Sequence, residues 1–130
     1  TAIDMTGASV TLMKLDDELK ELLDAVNEPQ VKASLDLTSA GVAGESMKDW
    51  FEELGDKICH IRFVDGRPQG RLVWGDGLRP LEDHLELARK YNYKGLLSLA
   101  INDARYLDEP AAADEKNIET FRQLMTNGYL

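Results

Sequence analysis

The sequence predicts an α/β fold of parallel strands with outer helices, the C-terminal strand–helix units of a (β/α)8 TIM barrel. Three strand-like segments, at 31–37, 58–64 and 95–101, alternate along the chain with segments of helical periodicity, which is the arrangement of a parallel sheet. Each strand has one apolar face, whereas the other face carries polar side chains. Helices on both sides would leave no polar face, so a barrel interior fits better. Three strands cannot close a barrel, and residues 1–130 are therefore predicted to be a single incomplete domain.

The first third of the chain predicts a loop, a helix and a strand. Residues 1–13 show no period and are expected to be irregular. A helix that ends near Pro29 then carries its apolar residues on one face: Leu15, Leu19, Leu22, Leu23 and Val26. In the strand at 31–37, apolar and polar residues alternate, which places Ser34 and Asp36 together on one face.

The middle of the chain predicts a capped helix and a second strand. Ser46 and Asp49 have the spacing of a capping box, and the helix they open has the apolar stripe Met47, Trp50, Phe51 and Leu54. In the strand at 58–64, His60 and Arg62 share one face. A loop at 65–77, rich in glycine and arginine, follows.

The last third predicts a helix, a strand and a helix. Pro80 suits the first turn of a helix with Leu81, Leu85 and Ala88 inward, on which His84 is expected to be exposed. In the strand at 95–101, Leu96, Ser98 and Ala100 share one face. The final helix is predicted to begin near Asp114 and to bury Ile118, Phe121, Leu124 and Met125.

Composition excludes several classes of partner. A net charge of -9 argues against nucleic acid and against an anionic membrane surface, because both require clustered Lys and Arg. No apolar run approaches the length of a membrane span. The single cysteine, Cys59, cannot form an internal disulfide and fits a cytoplasmic location. The chain begins at Thr1 without an initiator methionine, so we expect it to be part of a longer protein.

The candidate site lies where the strands end, because parallel sheets hold their ligands at the carboxyl ends of the strands. Asp36 and Arg62 lie at these ends. The pair has two interpretations that the sequence leaves open, a structural salt bridge or a part of the substrate site. Ser98 and Asn102 are candidates for binding ligand hydroxyls, and Arg67 in the following loop is a candidate for a further substrate contact.

Four motifs carry a resemblance to a known family. They are LDLT at 35–38, LGDKICHIR at 54–62, GDG at 75–77 and YKGLLSL at 93–99. Together and in this order they resemble the xylose-isomerase-like barrel superfamily, and within it the sugar phosphate isomerase/epimerase group. The resemblance spans nearly the whole chain and implies that it corresponds to about strands 6–8 of the barrel.

The resemblance implies a divalent metal (Mn, Mg, Co or Zn) bound by Glu, Asp, His and Glu, and proton transfer beside a sugar carbonyl. The first glutamate falls before Thr1, and the aspartate corresponds to Asp36. The histidine position is Arg62, which cannot ligate a metal, and the final glutamate position is Ala100. His60, one pleat deeper, is the other candidate ligand. We therefore expect that this chain alone does not bind the metal.

Two functions follow from this pattern. The first is a cytoplasmic, sugar phosphate isomerase/epimerase-like enzyme of carbohydrate metabolism, which acts on a small polyhydroxylated substrate and has a partly lost metal site. The alternative is a non-catalytic relative that binds a small anionic ligand or a protein partner. Arg62 and Ala100 favour the alternative, because a negative group is lost and a positive one gained. In both cases the missing barrel portion, or a second copy of the chain, is expected to complete the sheet.

Overall fold

In the part of the chain that the structure describes, four parallel strands form one sheet and lie in it in chain order. The computed structural model describes residues 2–4, 15–67 and 70–128. The strands are β1 (Ala2–Asp4), β2 (Lys32–Asp36), β3 (Ile58–Arg62) and β4 (Leu96–Ser98). Each is hydrogen-bonded in parallel to its neighbour in the chain. The predicted α/β arrangement of parallel strands with helices between them is confirmed.

Five α-helices accompany the strands within the described residues. They are α1 (Leu15–Val26), α2 (Leu37–Val42), α3 (Met47–Leu54), α4 (Leu81–Lys90) and α5 (Pro110–Thr126). Short 3-10 turns at Gly55–Lys57 and Ala104–Tyr106 precede β3 and α5. In the part of the chain that the structure describes, no helix combines the length and apolar character that crossing a membrane requires.

The strand β1 corrects the prediction that residues 1–13 form a loop. Ala2–Asp4 pairs with Lys32, Ala33 and Ser34 of β2, so the sheet has four strands rather than three. Three residues are too few to display the alternation that identifies a strand, and this one depends on hydrogen bonds from β2. The rest of the predicted loop, residues 5–13, lies outside the described residues.

The core fills the space between the sheet and the helices. Alternate residues of β2 and β3, among them Leu35 and Ile61, are fully buried against the helices. The predicted capping box is confirmed, since the Ser46 hydroxyl accepts from the Asp49 amide and the Asp49 carboxylate accepts from the Ser46 amide. All four residues of the predicted α3 stripe are buried. A correctly capped helix thus covers the outer side of the sheet.

Two helices differ from the prediction. The predicted strand at 31–37 ends at Asp36, and the short helix α2 begins at the next residue, Leu37. The Asp36 carboxylate caps this helix. Helix α5 starts at Pro110, four residues before the predicted Asp114, since proline is well suited to the first helical turn. The predicted burial of Ile118 and Met125 is wrong. Both are exposed, and α5 instead buries Ala113, Asn117 and Leu124.

A single carboxylate organises the long loop between β3 and α4. Asp65, which is buried, accepts hydrogen bonds from the backbone amides of Gly66, Gly75, Gly77 and Arg79 at 2.8 to 3.0 Å. A Cβ atom at Gly77 would collide with this carboxylate, which explains the glycine. The loop is therefore fixed at both its ends by one side chain.

We expect Asp65→Ala to lower the free energy of unfolding by about 3 kcal/mol, because it leaves four buried or partly buried backbone amides without an acceptor. Urea unfolding followed by circular dichroism measures this change. Asp108→Ala removes an exposed carboxylate and is the matched control. Equal stability of the two variants would contradict the role given to Asp65.

We also expect the isolated chain to self-associate, because β4 is an edge strand and its Leu96 is 74% exposed on the face that His60 shares. Sedimentation velocity should show species heavier than 14.5 kDa that grow with concentration. Leu96→Glu should reduce the association, whereas Leu78→Glu, at an equally exposed loop leucine, should not. A monomer at every concentration would contradict this expectation.

Candidate active site

Three polar side chains lie in one row at the carboxyl ends of the strands. Strand pairing places Asp36 of β2 beside Arg62 of β3, and Arg62 beside Ser98 of β4. One residue pair deeper, Ser34 lies beside His60. Partners in register project from the same face of a sheet. The structure therefore brings together the five polar residues that the strand alternation assigned to the inward face.

Asp36 is the centre of this row. Its side chain is 0% exposed, and its Oδ1 atom accepts from the amides of Thr38 and Ser39 at 2.9 and 3.3 Å. Its Oδ2 atom accepts from Arg71 Nε at 3.2 Å and Nη2 at 2.5 Å, and from Arg62 Nη1 at 3.5 Å. One carboxylate thus caps α2 and holds two guanidinium groups.

The ionisation of Asp36 follows from these contacts. Burial by itself raises the pKa of this carboxyl, but the hydrogen bond and charge of Arg71, together with the amides of Thr38 and Ser39, outweigh burial. The net result is a pKa below the ordinary value of 3.8. Asp36 is therefore negatively charged at neutral pH.

Arg71 was not predicted as a partner of Asp36. It lies 35 residues further along the chain, in the loop that Asp65 organises. The same loop is tied back to α2, because Thr38 Oγ1 donates to the Gly70 carbonyl at 3.0 Å. No spacing rule links such a loop residue to a strand end, so the sequence offers no signal for this contact.

His60 connects three strands by hydrogen bonds. Its Nδ1 atom lies 2.7 Å from Ser34 Oγ of β2, and its Nε2 atom lies 2.8 Å from Ser98 Oγ of β4. A serine hydroxyl can donate or accept a hydrogen bond, so each of the two serines can pair with the ring nitrogen beside it. Both ring nitrogens are thereby occupied.

Arg79 provides a further positive charge close to the site. Its guanidinium donates to the carbonyls of Val64 at 3.2 Å and Leu37 at 2.9 Å. Burial lowers its pKa, whereas the charges of Asp65 and Asp36 act in the opposite direction. Arg79 therefore joins the segment after β3 to the start of α2.

The remaining predicted site residues lie apart from the row. Arg67 is exposed and donates to the Asp76 carbonyl at 2.9 and 3.3 Å. Asn102 and Ala100 line a cleft of about 550 Å³ beyond β4. The backbone amide of Asn102 donates to the Arg71 carbonyl at 2.9 Å. Asn102 is thus tied to the backbone of a site residue, whereas none of the described contacts brings Arg67 to the site.

His84 corrects a prediction of exposure. It is half-buried, and its ring lies 5.9 Å from that of Trp74 and 6.3 Å from that of Phe63. Its Nδ1 atom lies 2.7 Å from the Pro80 carbonyl oxygen. Burial lowers the pKa of His84, and this outweighs the hydrogen bond to Pro80. It belongs to the aromatic packing around α4 rather than to the surface.

A parallel sheet with helices between its strands, and with polar residues gathered at the strand ends, defines part of a (β/α)8 barrel. The family model of the xylose isomerase-like TIM barrel matches residues 5–124. The chain belongs to this family.

Known proteins that are similar to the chain include enzymes named as epimerases. The fructoselysine 3-epimerases of Escherichia coli O157:H7 and Shigella flexneri are each 25% identical to it over 111 residues, which is 84% of this chain and 40% of theirs. The chain thus spans about two fifths of the length of these curated relatives.

Solved structures show the same fold. A crystal structure of D-allulose 3-epimerase from Methylomonas sp. superposes with a TM-score of 0.68 at 17% identity, over 94% of this chain and 47% of that one. A second crystal structure of that enzyme, in complex with D-allulose, gives 0.65 at 18% identity, over 86% and 43%. The predicted partial barrel is confirmed.

The residues present do not fit the divalent metal that the family resemblance implies. Asp36 already accepts from two guanidinium groups, and both nitrogens of His60 are bonded to serines. A dication at Asp36 would lie beside the positive charges of Arg62 and Arg71. Among the side chains that the structure describes, no three His, Cys, Asp or Glu residues converge as a metal site requires. The described residues of this chain therefore support no metal-dependent step.

The lowered pKa of Asp36 predicts a pH dependence of stability. A depressed pKa in the folded state stabilises the protein above the unfolded value of about 3.8, and this contribution is lost as the pH falls through the folded value. Asp36→Asn should cost about 3 kcal/mol at pH 7, because it leaves the half-buried guanidinium groups of Arg62 and Arg71 without the buried anion that holds them.

Urea unfolding between pH 7 and pH 2 measures this effect, and the difference between wild type and Asp36→Asn should shrink below pH 4. Asp108→Asn, at an exposed carboxylate, should follow the wild type throughout. A difference for Asp36→Asn that stays constant with pH would show that its charge does not matter.

Proposed function

We propose that the protein is of the sugar isomerase/epimerase type and binds a small polyhydroxylated molecule at the carboxyl ends of β2, β3 and β4. The observation that carries this proposal is the polar row of Asp36, Arg62 and Ser98 on the inward face of the sheet. The relatives named fructoselysine 3-epimerase, and the allulose epimerase structure solved with D-allulose, support a sugar-like ligand.

The chemistry of the row suits a ligand with several hydroxyl groups. Ser98 is half-buried and presents a hydroxyl whose orientation is fixed by His60. The imidazole is in turn held by Ser34, so this polar chain is ordered before any ligand arrives. Pre-ordered donors and acceptors bind hydroxyl groups at a lower entropic cost than mobile ones.

The proposed reaction class is proton transfer beside a sugar carbonyl, on a substrate of the sugar or sugar phosphate kind in cytoplasmic carbohydrate metabolism. This chain contributes binding and orientation through Ser98 and His60. It supplies no metal-dependent step, because its own residues do not fit a metal.

A second candidate is supported by a specific observation. Asp36, the position that corresponds to a family ligand, is fully engaged by Arg62, Arg71 and two amides. An aspartate that is engaged in this way is not available as an acid or base toward a ligand. On this alternative the protein is a non-catalytic relative that binds a small anionic ligand or a protein partner.

The first experiment tests whether the protein binds a sugar. We expect the full-length protein to bind ketoses or their phosphates in isothermal titration calorimetry. Ser98→Ala should weaken binding about tenfold, which corresponds to the loss of one hydrogen bond. Thr126→Ala, at an exposed hydroxyl of α5, is the control and should not change binding.

Incubation of the same protein with ketose in D2O tests for catalysis. Deuterium incorporation at a carbon beside the carbonyl, detected by NMR, would establish an epimerase. Binding without incorporation would establish the non-catalytic alternative. No binding of any sugar or sugar derivative would overturn the proposed function.

A further inference from the structure

Resting on the proposed function, we propose that Tyr106 is a positioning residue for the ligand site. Its hydroxyl fixes the part of the loop that follows Arg71, and through this part it holds the Arg71 guanidinium on Asp36. In this role Tyr106 acts on the ligand-binding residues through Arg71 and does not itself contact the ligand. The contacts that carry the inference all lie between described residues of this chain.

The backbone beside Arg71 is held first by Asp65. Leu72 forms an antiparallel bridge with Asp65, in which each backbone amide donates to the carbonyl of the other residue, at 3.0 and 3.1 Å. In such a bridge, the peptide groups of neighbouring residues point to opposite edges of the chain. Asp65 therefore occupies one edge only, and the groups on either side of Leu72 are left for another partner.

The segment after β4 provides that partner. The Arg71 carbonyl accepts from the Asn102 amide at 2.9 Å, and the Val73 amide donates to the Tyr106 hydroxyl oxygen at 3.0 Å. These two groups belong to the edge opposite to the bridge. Arg71 thus lies between two lines of hydrogen bonds, of which the first folds the loop and the second fixes where the folded loop lies.

The Tyr106 hydroxyl also closes the turn that follows. It donates to Asp76 Oδ2 at 2.6 Å while it accepts from Val73, and the Asp76 amide donates to the Val73 carbonyl at 3.0 Å. One hydroxyl therefore joins the first and last residues of a four-residue turn. Burial, and then the hydrogen bond to Asp76, raise the pKa of Tyr106 to about 12, so the hydroxyl stays protonated and remains a donor.

Helix α5 supports the same turn at two further points. Lys116 forms an ion pair with Asp76, and the buried Asn117 side chain accepts from the Trp74 amide at 3.0 Å through its oxygen. Among these contacts, that of Tyr106 with Val73 is the nearest to Arg71 along the chain. Tyr106 is therefore the side chain whose loss should affect Arg71 most directly.

The position of Arg71 decides how Asp36 is held. Arg71 donates to Asp36 Oδ2 through two nitrogens, whereas Arg62 Nη1 lies 3.5 Å from the same oxygen. If Arg71 moves away, the buried carboxylate should draw Arg62 closer, because a buried charge requires a partner. Arg62 lies in register between Asp36 and Ser98, so this movement changes the geometry beside the serine that we propose to bind ligand hydroxyls.

The first test follows the Arg71 side chain in the full-length protein without ligand. Tyr106→Phe should speed the hydrogen exchange of Arg71 Nε–H, measured by heteronuclear NMR, about fivefold, which corresponds to the loss of one hydrogen bond. The indole N–H of Trp50, which donates to the buried Glu45 at 2.8 Å, is the internal reference. General destabilisation speeds the exchange of both groups, whereas lost positioning speeds that of Arg71 alone.

Tyr91→Phe is the matched control variant. It too removes a phenol hydroxyl that donates to a carboxylate, that of Glu52, but it lies at the C-terminal end of α4 and not beside the loop. Exchange of Arg71 Nε–H in this variant should equal that of the wild type.

The second test measures binding of D-fructose and of fructose 6-phosphate by isothermal titration calorimetry. Tyr106→Phe should weaken the binding of whichever probe the wild type binds about fivefold, and Tyr91→Phe should not. Arg71→Lys keeps a charge near Asp36 but loses the planar guanidinium. In that background Tyr106→Phe should weaken binding no further, because residues that act through one another are not additive.

The outcomes separate this inference from the proposed function. Unchanged exchange of Arg71 Nε–H in Tyr106→Phe, or an equal rise at Trp50, would overturn the inference whichever sugar is bound. Faster exchange at Arg71 alone with unchanged binding of the probes, or an equal effect of Tyr106→Phe in the Arg71→Lys background, would overturn it and leave the proposed function intact. Faster exchange at Arg71 alone in a protein that binds no sugar would support the positioning of Arg71 by Tyr106 and overturn the proposed function.

Discussion

The burial of one negative charge at the end of β2 is the constraint on which this site depends. A fully buried carboxylate is tolerated only when cations and hydrogen-bond donors surround it, and Asp36 obtains them from three segments of the chain. Two amides come from the first turn of α2, one guanidinium from β3 and one from the loop after β3. The direction of α2, the position of the loop and the orientation of Arg62 are therefore linked to a single carboxylate. Any ligand at the strand ends meets this assembly rather than a bare aspartate.

The parts of the fold that follow from local patterns could be predicted. The alternation in β2 and β3 correctly placed Ser34, Asp36, His60 and Arg62 on one face, because side chains in a strand alternate strictly. The capping box at Ser46 correctly placed the start of α3, because a cap acts within a single turn. Together with the order of the motifs, these signals were enough to identify the partial barrel. Which of these residues contact a ligand is a prediction.

The parts that depend on contacts distant in sequence could not be predicted. Strand β1 is three residues long and exists because β2 lies beside it. Arg71 reaches Asp36 only because Asp65 folds the intervening loop through four backbone amides. The helix α5 has a weak apolar stripe, and its buried face includes the polar Asn117, whose side-chain oxygen accepts from the Trp74 backbone amide. Periodicity alone therefore selected Ile118 and Met125, which are exposed. In each case the tertiary partner, rather than the local sequence, decides the outcome.

A guanidinium in place of a metal changes what kind of ligand the same barrel edge can hold. A bound metal can be exchanged or removed and accepts several neutral oxygens, whereas arginine is a permanent cation that only donates hydrogen bonds. A neutral sugar offers such a cation weak acceptors, but a phosphate or carboxylate offers charged oxygens in matching geometry. On the alternative proposed above, in which the protein binds a small anionic ligand, the charged oxygens of that ligand are the part that Arg62 and Arg71 contact. Since the register of β2, β3 and β4 places Arg62 between Asp36 and Ser98, a change of residue at this one position can alter the kind of ligand without altering the fold.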